Sequence, residues 1–367
     1  MTISLNAPKI KKKILVVDDS ALMRRVLCDI IDHDERFQVA DRATNGQEAL
    51  ELLLKKKYDA VVLDVNMPVM DGLSLLKELQ RRKISAKVMM ASTDTKEGAK
   101  TTLDALELGA LDFVHKPVNA LSCREEMFKT RMLDTLEAVA SGRPPSFGKT
   151  FTLEEIQTSK KIVEMVHKHA SEITGNRVVA IASSTGGPKA LQSVIPRLPK
   201  NLKAPVLIVQ HMPTGFTASF AERLNTLSEL EVKEAEEGDV LRPGYVYLAR
   251  GGQHMNVQTR AGGKCTIHYS DEPPREGVKP CANYMYESLT GSPYDEVVCV
   301  VMTGMGADGT KGIQNLAATK KVHIIAQEQS TCAVYGMPKS IVATGMANQV
   351  VPLEQIAQEI ILNVGVK

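Results

Sequence analysis

A two-domain α/β protein is the fold class this sequence predicts, and three observations carry it. Short apolar runs alternate with amphipathic helical patterns from Ile14 to about Pro117, and the alternation resumes at Arg177, as doubly wound parallel sheets require. Between the two stretches, Ser141-Gly142-Arg143-Pro144-Pro145-Ser146 breaks any helix. The length, 367 residues, is enough for two hydrophobic cores. The expected organisation is a doubly wound parallel-sheet domain over 12–120, a linker with helical segments over 121–176, and a mainly parallel α/β domain with an antiparallel hairpin over 177–365.

Taken in order, Ile14–Val17, Ala60–Leu63 and Lys87–Ala91 read as strands, and Leu22–Ile31 and Leu73–Leu79 as helices. Ser122-x-x-Glu125 and Thr152-x-x-Glu155 read as capping boxes, the first opening a helix through about Ala140 and the second one through about Ile173. Leu153, Ile156, Val163, Val166 and Ile173 form an apolar face suited to docking on a domain. In the second domain, apolar strands end at Ala182, Gln210 and Val301. The insert Gly244–Tyr269, where Val246-Tyr247-Leu248 and Lys264–Tyr269 flank glycine-rich turns, is expected to be antiparallel. The amphipathic run Leu353–Val364 predicts a final helix.

Composition narrows the function classes. A formal charge of +2, aromatic content of 4% and no tryptophan give nucleic acid neither an electrostatic footprint nor stacking platforms. No apolar run reaches bilayer-spanning or signal-peptide length, so a cytoplasmic protein without membrane insertion is expected. Cys28, Cys123, Cys265, Cys281, Cys299 and Cys332 are scattered without a C-x-x-C pair, which predicts reduced, structural thiols. His167 and His169 lie two residues apart, do not share a helix face and have no nearby cysteine, so they predict no metal site. Lys11-Lys12-Lys13 runs straight into a strand and reads as solvated charge.

In the first domain the chemistry collects at strand ends, where doubly wound sheets bind ligands: Asp18-Asp19, Asp64, Ser92 and Lys116. Carboxylates brought together there repel one another unless a hard cation sits among them, and Mg²⁺ favours such oxygen ligands. Taken singly, Asp18, Asp19 and Asp71 read equally well as cap or turn residues. Jointly, Val17-Asp18-Asp19-Ser20, Asp64-Val65-Asn66-Met67-Pro68-x-Met70-Asp71-Gly72, Ser92 and Lys116-Pro117 resemble a two-component receiver domain. That resemblance implies phosphoryl transfer from a histidine kinase to Asp64. It further implies Mg²⁺ contacts from Asp19, Asp64 and the Asn66 carbonyl, with Asp18 acting through water, and switch positions at Ser92 and Phe113 beside the charge of Lys116.

In the second domain Ser184 stands where an apolar strand gives way to Ser183-Ser184-Thr185-Gly186-Gly187-Pro188. A serine hydroxyl attacks only with a base in reach and an acid orienting that base. His211, in Gln210-His211-Met212-Pro213, and Asp308, in the glycine-flanked Thr303-Gly304-Met305-Gly306-Ala307-Asp308-Gly309, supply the residue types. Ser183 remains a rival nucleophile, Asp295 and Asp271 rival acids, and a helix cap or anion site the plain alternative. The order Ser, His, Asp without G-x-S-x-G excludes the α/β-hydrolase pattern. These motifs, with Tyr335-Gly336-Met337-Pro338, resemble the catalytic domain of chemotaxis protein-glutamate methylesterases.

With a receiver in front, the whole chain is similar to receiver-gated methylesterases that also deamidate receptor glutamines. The resemblance implies Ser184 as nucleophile, His211 as general base and acid, Asp308 as its orienter, and backbone donors near Thr185 and Met305 for an oxyanion. It implies methyl-accepting chemoreceptors as substrates, no cofactor at the esterase site, and an unphosphorylated receiver covering the Ser184 cleft. In Leu248-Ala249-Arg250-Gly251-Gly252-Gln253-His254, Arg250 stands where that family usually has proline, a cation suited to pairing with receptor carboxylates. His254 is expected to make a hairpin hydrogen bond. A receiver-controlled binding module, or an esterase for another methylated protein, stays open at this level.

Overall fold

The computed structural model describes residues 10–93, 96–117, 122–144 and 175–367. The chain divides into two compact units, Met1–Phe147 and Gly148–Lys367. The expected apolar face from Leu153 to Ile173, the capping box at Thr152, and His167 and His169 lie outside the described residues.

In the first unit β1 (Lys12–Val17), β2 (Phe37–Ala43), β3 (Ala60–Asp64), β4 (Val88–Thr93) and β5 (Asp112–Lys116) form one parallel sheet in the order β2-β1-β3-β4-β5. Ile14 through Val16 and Val61 through Leu63 are essentially fully buried, each such side chain contributing about 1.5–3 kcal/mol of apolar burial. Helices α1 (Ala21–His33), α2 (Gly46–Lys55), α3 (Gly72–Arg81) and α4 (Lys96–Glu107) make the crossovers. Short polar side chains start three of them: Ser20 accepts the Met23 N–H, Asn45 that of Glu48 and Asp71 that of Ser74.

The next helix, α5 (Glu126–Ser141), opens three residues later than its capping-box reading predicted. Ser122–Arg124 forms a single 3₁₀ turn, and Glu125 takes the cap position without a side-chain cap bond. This helix, expected within the linker, packs on β3, β4 and β5. Lys12 pairs with its Glu137, and the Lys87 ammonium donates to the Ala140 carbonyl.

The second unit is built on a seven-stranded, wholly parallel sheet in the order β14-β13-β12-β6-β7-β9-β8. Its strands are β6 (Arg177–Ser183), β7 (Val206–Gln210), β8 (Glu231–Glu234), β9 (Tyr245–Leu248), β12 (Glu296–Val301), β13 (Lys321–Gln327) and β14 (Gln349–Val351). The central strands are buried throughout, and at the end away from the glycine-rich loops Arg177 pairs with Glu296 at 2.8 Å across β6 and β12.

The antiparallel pair is β10 (His254–Thr259) with β11 (Cys265–Ser270). Val246-Tyr247-Leu248, expected in that hairpin, belongs instead to the parallel sheet, where β9 lies between β7 and β8. Gly244 and the Gly251-Gly252 pair mimic hairpin turns, but all three strand residues are buried, which suits an internal strand of a covered sheet. Among the described residues its helices are α6 (Gly187–Val194), α7 (Phe216–Leu227), α8 (Ala282–Ser288), α9 (Thr310–Ala317), α10 (Met337–Ala343) and α11 (Leu353–Val364), the last with the predicted bounds. Among the described residues no helix is long and apolar enough to cross a membrane.

Candidate active site

Each parallel sheet has a central reversal of strand order, and the chemistry-bearing residues gather there. In the first unit the reversal falls at β1 and β3, whose carboxyl ends carry Asp18-Asp19 and Asp64. Their carboxylate oxygens lie within 4.8 Å of one another. Lys116 Nζ, from the end of β5, is 2.7 Å from Asp64 Oδ1 and 3.0 Å from Asp18 Oδ2, with all three side chains buried. Burial pushes the Asp64 carboxyl above its ordinary range; the Lys116 charge and hydrogen bond oppose this, and the Asp18 charge adds to it.

The donor set is all oxygen and under-neutralised, which fits a hard divalent cation such as Mg²⁺. Asn66 is exposed just beyond Asp64, and Ser92 is buried at the end of β4. Phe113 is buried in β5 opposite Met90. Asp71, by contrast, caps α3 with its carboxylate. A side chain at Gly72 is barred, since a Cβ there meets the Asp64 carbonyl oxygen at 2.3 Å.

In the second unit the reversal falls at β6 and β12. Ser184 follows β6, His211 follows the neighbouring β7, and Asp308 sits in the loop between β12 and α9. The Ser183 carbonyl accepts the His211 N–H at 3.1 Å, so the two loops leave the sheet side by side. The Ser184 N–H donates to the Thr303 carbonyl at 3.0 Å, which joins the third loop to them. That loop comes this close because residue 304 is glycine: a Cβ there meets Ser184 Cβ at 2.7 Å and Met337 Sδ at 2.4 Å.

His211 Nε2 lies 2.7 Å from Asp308 Oδ2. Asp308 is 3% exposed, and its Oδ2 also accepts the Ala282 N–H at 2.6 Å. Its Oδ1 accepts the Asn283 and Gly309 N–H groups at 2.9 and 2.8 Å. Burial alone pushes this carboxyl up, but the hydrogen bond and charge of His211, the Cys281 thiol and the Ala282 N–H outweigh it and hold it at about 2. Asp308 therefore stays ionised, and His211 is left with Nδ1 as the ring nitrogen not held by the carboxylate.

The rivals are placed elsewhere. Ser183 is fully buried and its hydroxyl donates to Gln210 Oε1 at 2.7 Å. Asp295 accepts the Asn176 N–H just before β12, at the opposite end of the sheet, and Asp271 is exposed beyond β11. Thr185 is buried with its carbonyl accepting the Thr303 hydroxyl, and Met305 is half exposed. Arg250, read as a cation for receptor carboxylates, is engaged by this protein: its Nε is 3.4 Å from Glu234 Oε2 and its guanidinium lies over the Tyr269 ring at 5.5 Å. His254 pairs in register with Ser270 across its hairpin, while its ring bonds the Pro273 carbonyl and the Cys281 N–H.

Three residues without an assigned role in the sequence reading tie the site together. Gln210 accepts from Ser183 and donates to the carbonyls of Ser184 and His211, and its signal was an amide closing an apolar strand. Asn283 accepts the N–H groups of Gly309 and Gly312, and Cys281 donates to Asp308. Neither has a local sequence signal, because the site groups they hold lie more than twenty residues away.

Residues 179–360 match the family model for CheB methylesterase, and 14–127 that for the response regulator receiver domain. The chain is 41% identical, over 96% of its length and 99% of the relative's, to "Protein-glutamate methylesterase/protein-glutamine glutaminase 1" of Syntrophomonas wolfei. It is 38% identical, over 95% of its length and 97% of the relative's, to the protein-glutamate methylesterase/protein-glutamine glutaminase of Bacillus subtilis. Among solved structures, the Thermotoga maritima CheB methylesterase catalytic domain aligns with 52% of this chain and 98% of its own at 40% identity, with a TM-score of 0.49. The chain belongs to the protein-glutamate methylesterase/protein-glutamine glutaminase family, with a response regulator receiver domain ahead of a CheB methylesterase domain.

Proposed function

We propose that this protein demethylates glutamate methyl esters on methyl-accepting chemoreceptors, and deamidates their glutamines, through an acyl-enzyme on Ser184. The observation that carries this reading is the His211 Nε2 to Asp308 Oδ2 contact of 2.7 Å beside the Ser184 loop. With Nε2 held by Asp308, His211 Nδ1 takes the Ser184 proton as Oγ attacks the ester carbonyl carbon. The Ser184 N–H is committed to Thr303, so the oxyanion is met by backbone donors at Thr185 and Met305. His211 returns its proton to the departing methoxide, and methanol leaves. Water then attacks the glutamyl ester as His211 accepts its proton, and Ser184 Oγ departs with that proton. From glutamine the same acyl-enzyme forms with loss of ammonia.

The receiver couples this chemistry, in the cytoplasm, to a histidine kinase that donates phosphoryl groups to Asp64. Asp18, Asp19 and Asp64, with the Asn66 carbonyl, are the ligands available to Mg²⁺, which when bound offsets negative charge between the carboxylates and an incoming phosphoryl group. Asp64 takes up the phosphoryl group, Lys116 supplies a cation to its oxygens, and Ser92 and Phe113 carry the switch. Phosphorylation raises esterase activity. The test is methanol release from methylated receptor with and without a small phosphodonor. Release stimulated by the donor and lost in Ser184→Ala is the expected result; release surviving in Ser184→Ala removes the nucleophile.

A further inference from the structure

Asp308 is gripped on two sides. One side is the imidazole of His211; the other is the segment that opens α8, where the backbone N–H groups of Ala282 and Asn283 converge on the carboxylate. The donor completing this grip is a thiol: Cys281 Sγ lies 3.0 Å from Asp308 Oδ1, a short contact for sulfur, and the side chain is fully buried.

The thiol is itself held in place. The Cys281 N–H donates to His254 Nδ1 at 3.2 Å, while His254 Nε2 meets the Pro273 carbonyl at 3.2 Å and the ring packs against Tyr284 at 4.6 Å between centroids. An imidazole accepting at Nδ1 and donating at Nε2 is neutral. Burial lowers the tendency of His254 to protonate, in agreement with that tautomer. Burial first, and then the neighbouring Asp308 charge, push the Cys281 thiol up, so it keeps its proton and remains a donor.

We propose that Cys281 is a positioning residue for the hydrolytic reaction: its S–H, set by His254, fixes the Asp308 carboxylate in the rotamer that presents Oδ2 to His211. The inference rests on the Ser184, His211 and Asp308 reading of the site. A carboxylate free to rotate about its terminal torsion presents Oδ2 to His211 for only part of the time, since such torsions are broad. A fifth donor, on the side opposite His211, narrows that range. The role belongs to the hydrogen and not to the bulk of the sulfur, which separates it from packing.

The experiment compares Cys281→Ser, Cys281→Val and Cys281→Ala in the full-length protein, with kcat and KM for methanol release from methylated receptor and Ser184→Ala as reference. Cys281→Ser, which keeps a donor, is expected within about twofold of the parent, while Val and Ala lose roughly ten- to thirtyfold in kcat with KM little changed. A Val variant that matches the parent while Ser falls, or equal kcat in all three, overturns the proposal. Infrared spectra of the unsubstituted protein give a reading that needs no folded Cys281 variant. The S–H stretch of Cys281 is expected at a frequency displaced downward, moving back up in Asp308→Asn, and no displaced band overturns the donor. Activity surviving in Ser184→Ala instead removes the catalytic reading itself.

Discussion

Asp64 and Asp308 are both buried carboxylates at the strand-order reversal of a parallel sheet, yet their surroundings treat them in opposite ways. Asp64 has Lys116 on one oxygen and the like charge of Asp18 close by, and burial pushes its carboxyl up. Asp308 has three backbone N–H groups, an imidazole and a thiol, which together hold it at about 2. The first is under-neutralised and suited to gaining a cation and a phosphoryl group. The second is saturated with donors and suited to staying ionised while it orients a base. Position in the fold brings both carboxylates to the edge where parallel sheets bind ligands, and hydrogen-bond supply decides which charge each is suited to carry.

Substitution by asparagine gives the largest effects and separates the two roles. Asp64→Asn is expected to abolish phosphoryl uptake from a radiolabelled small phosphodonor, and with it the donor-stimulated part of methanol release. Label retained at another residue would break the contrast. Asp308→Asn is expected to lower kcat by roughly 10³- to 10⁴-fold, because the amide no longer stabilises the imidazolium or selects its tautomer. A loss under tenfold would mean that His211 is oriented by something else.

A smaller effect sharpens the geometry of the first site. Gly72→Ala places a Cβ 2.3 Å from the Asp64 carbonyl oxygen, and a backbone shift that relieves it costs about 1–3 kcal/mol. Hydrogen exchange by mass spectrometry should show faster exchange in β1 and β3 and unchanged exchange in β6 and β12.

The subtlest contrast is in pH dependence, where the two carboxylates have opposite signs. Asp308 is depressed in the folded state, so the stability it confers, about 2 kcal/mol, is present above the ordinary carboxylate range and lost as pH falls from about 4 to 2. Asp64 is raised, so its contribution is present below the ordinary range and lost as pH rises through its elevated value. Hydrogen exchange across an acid titration reads each unit by its own strands. Asp308→Asn should remove the acid-side loss in β6 and β12, and Asp64→Asn should protect β1 and β3 at neutral pH. Equal slopes in variant and parent would contradict the assignment.

Legibility followed locality. Leu353–Val364 was readable to the residue because its apolar spacing is a property of the segment alone. Phe37–Ala43 was not, since this edge strand alternates regularly in exposure but not in chemistry, with Asp41 on its inward side and Ala40 on its exposed side. The direction of β9 was misread because its flanking glycines are local while its partners, β7 and β8, are not. At the sites, Ser184, His211, Asp18-Asp19 and Asp64 stood out as polar residues closing apolar runs, and Asp308 as the acid of a glycine-flanked loop beyond one. Gln210, Cys281, Asn283 and the true partners of His254 and Arg250 emerged only with the fold, because each acts across a loop contact that leaves no periodic trace.

The central claim is that Ser184 is a nucleophile made reactive by His211. A serine-directed phosphonate, followed by peptide mapping of the full-length protein, tests it directly. The account predicts a single adduct on Ser184 that is lost in His211→Ala. An adduct on Ser183, or labelling of Ser184 undiminished in His211→Ala, would contradict it.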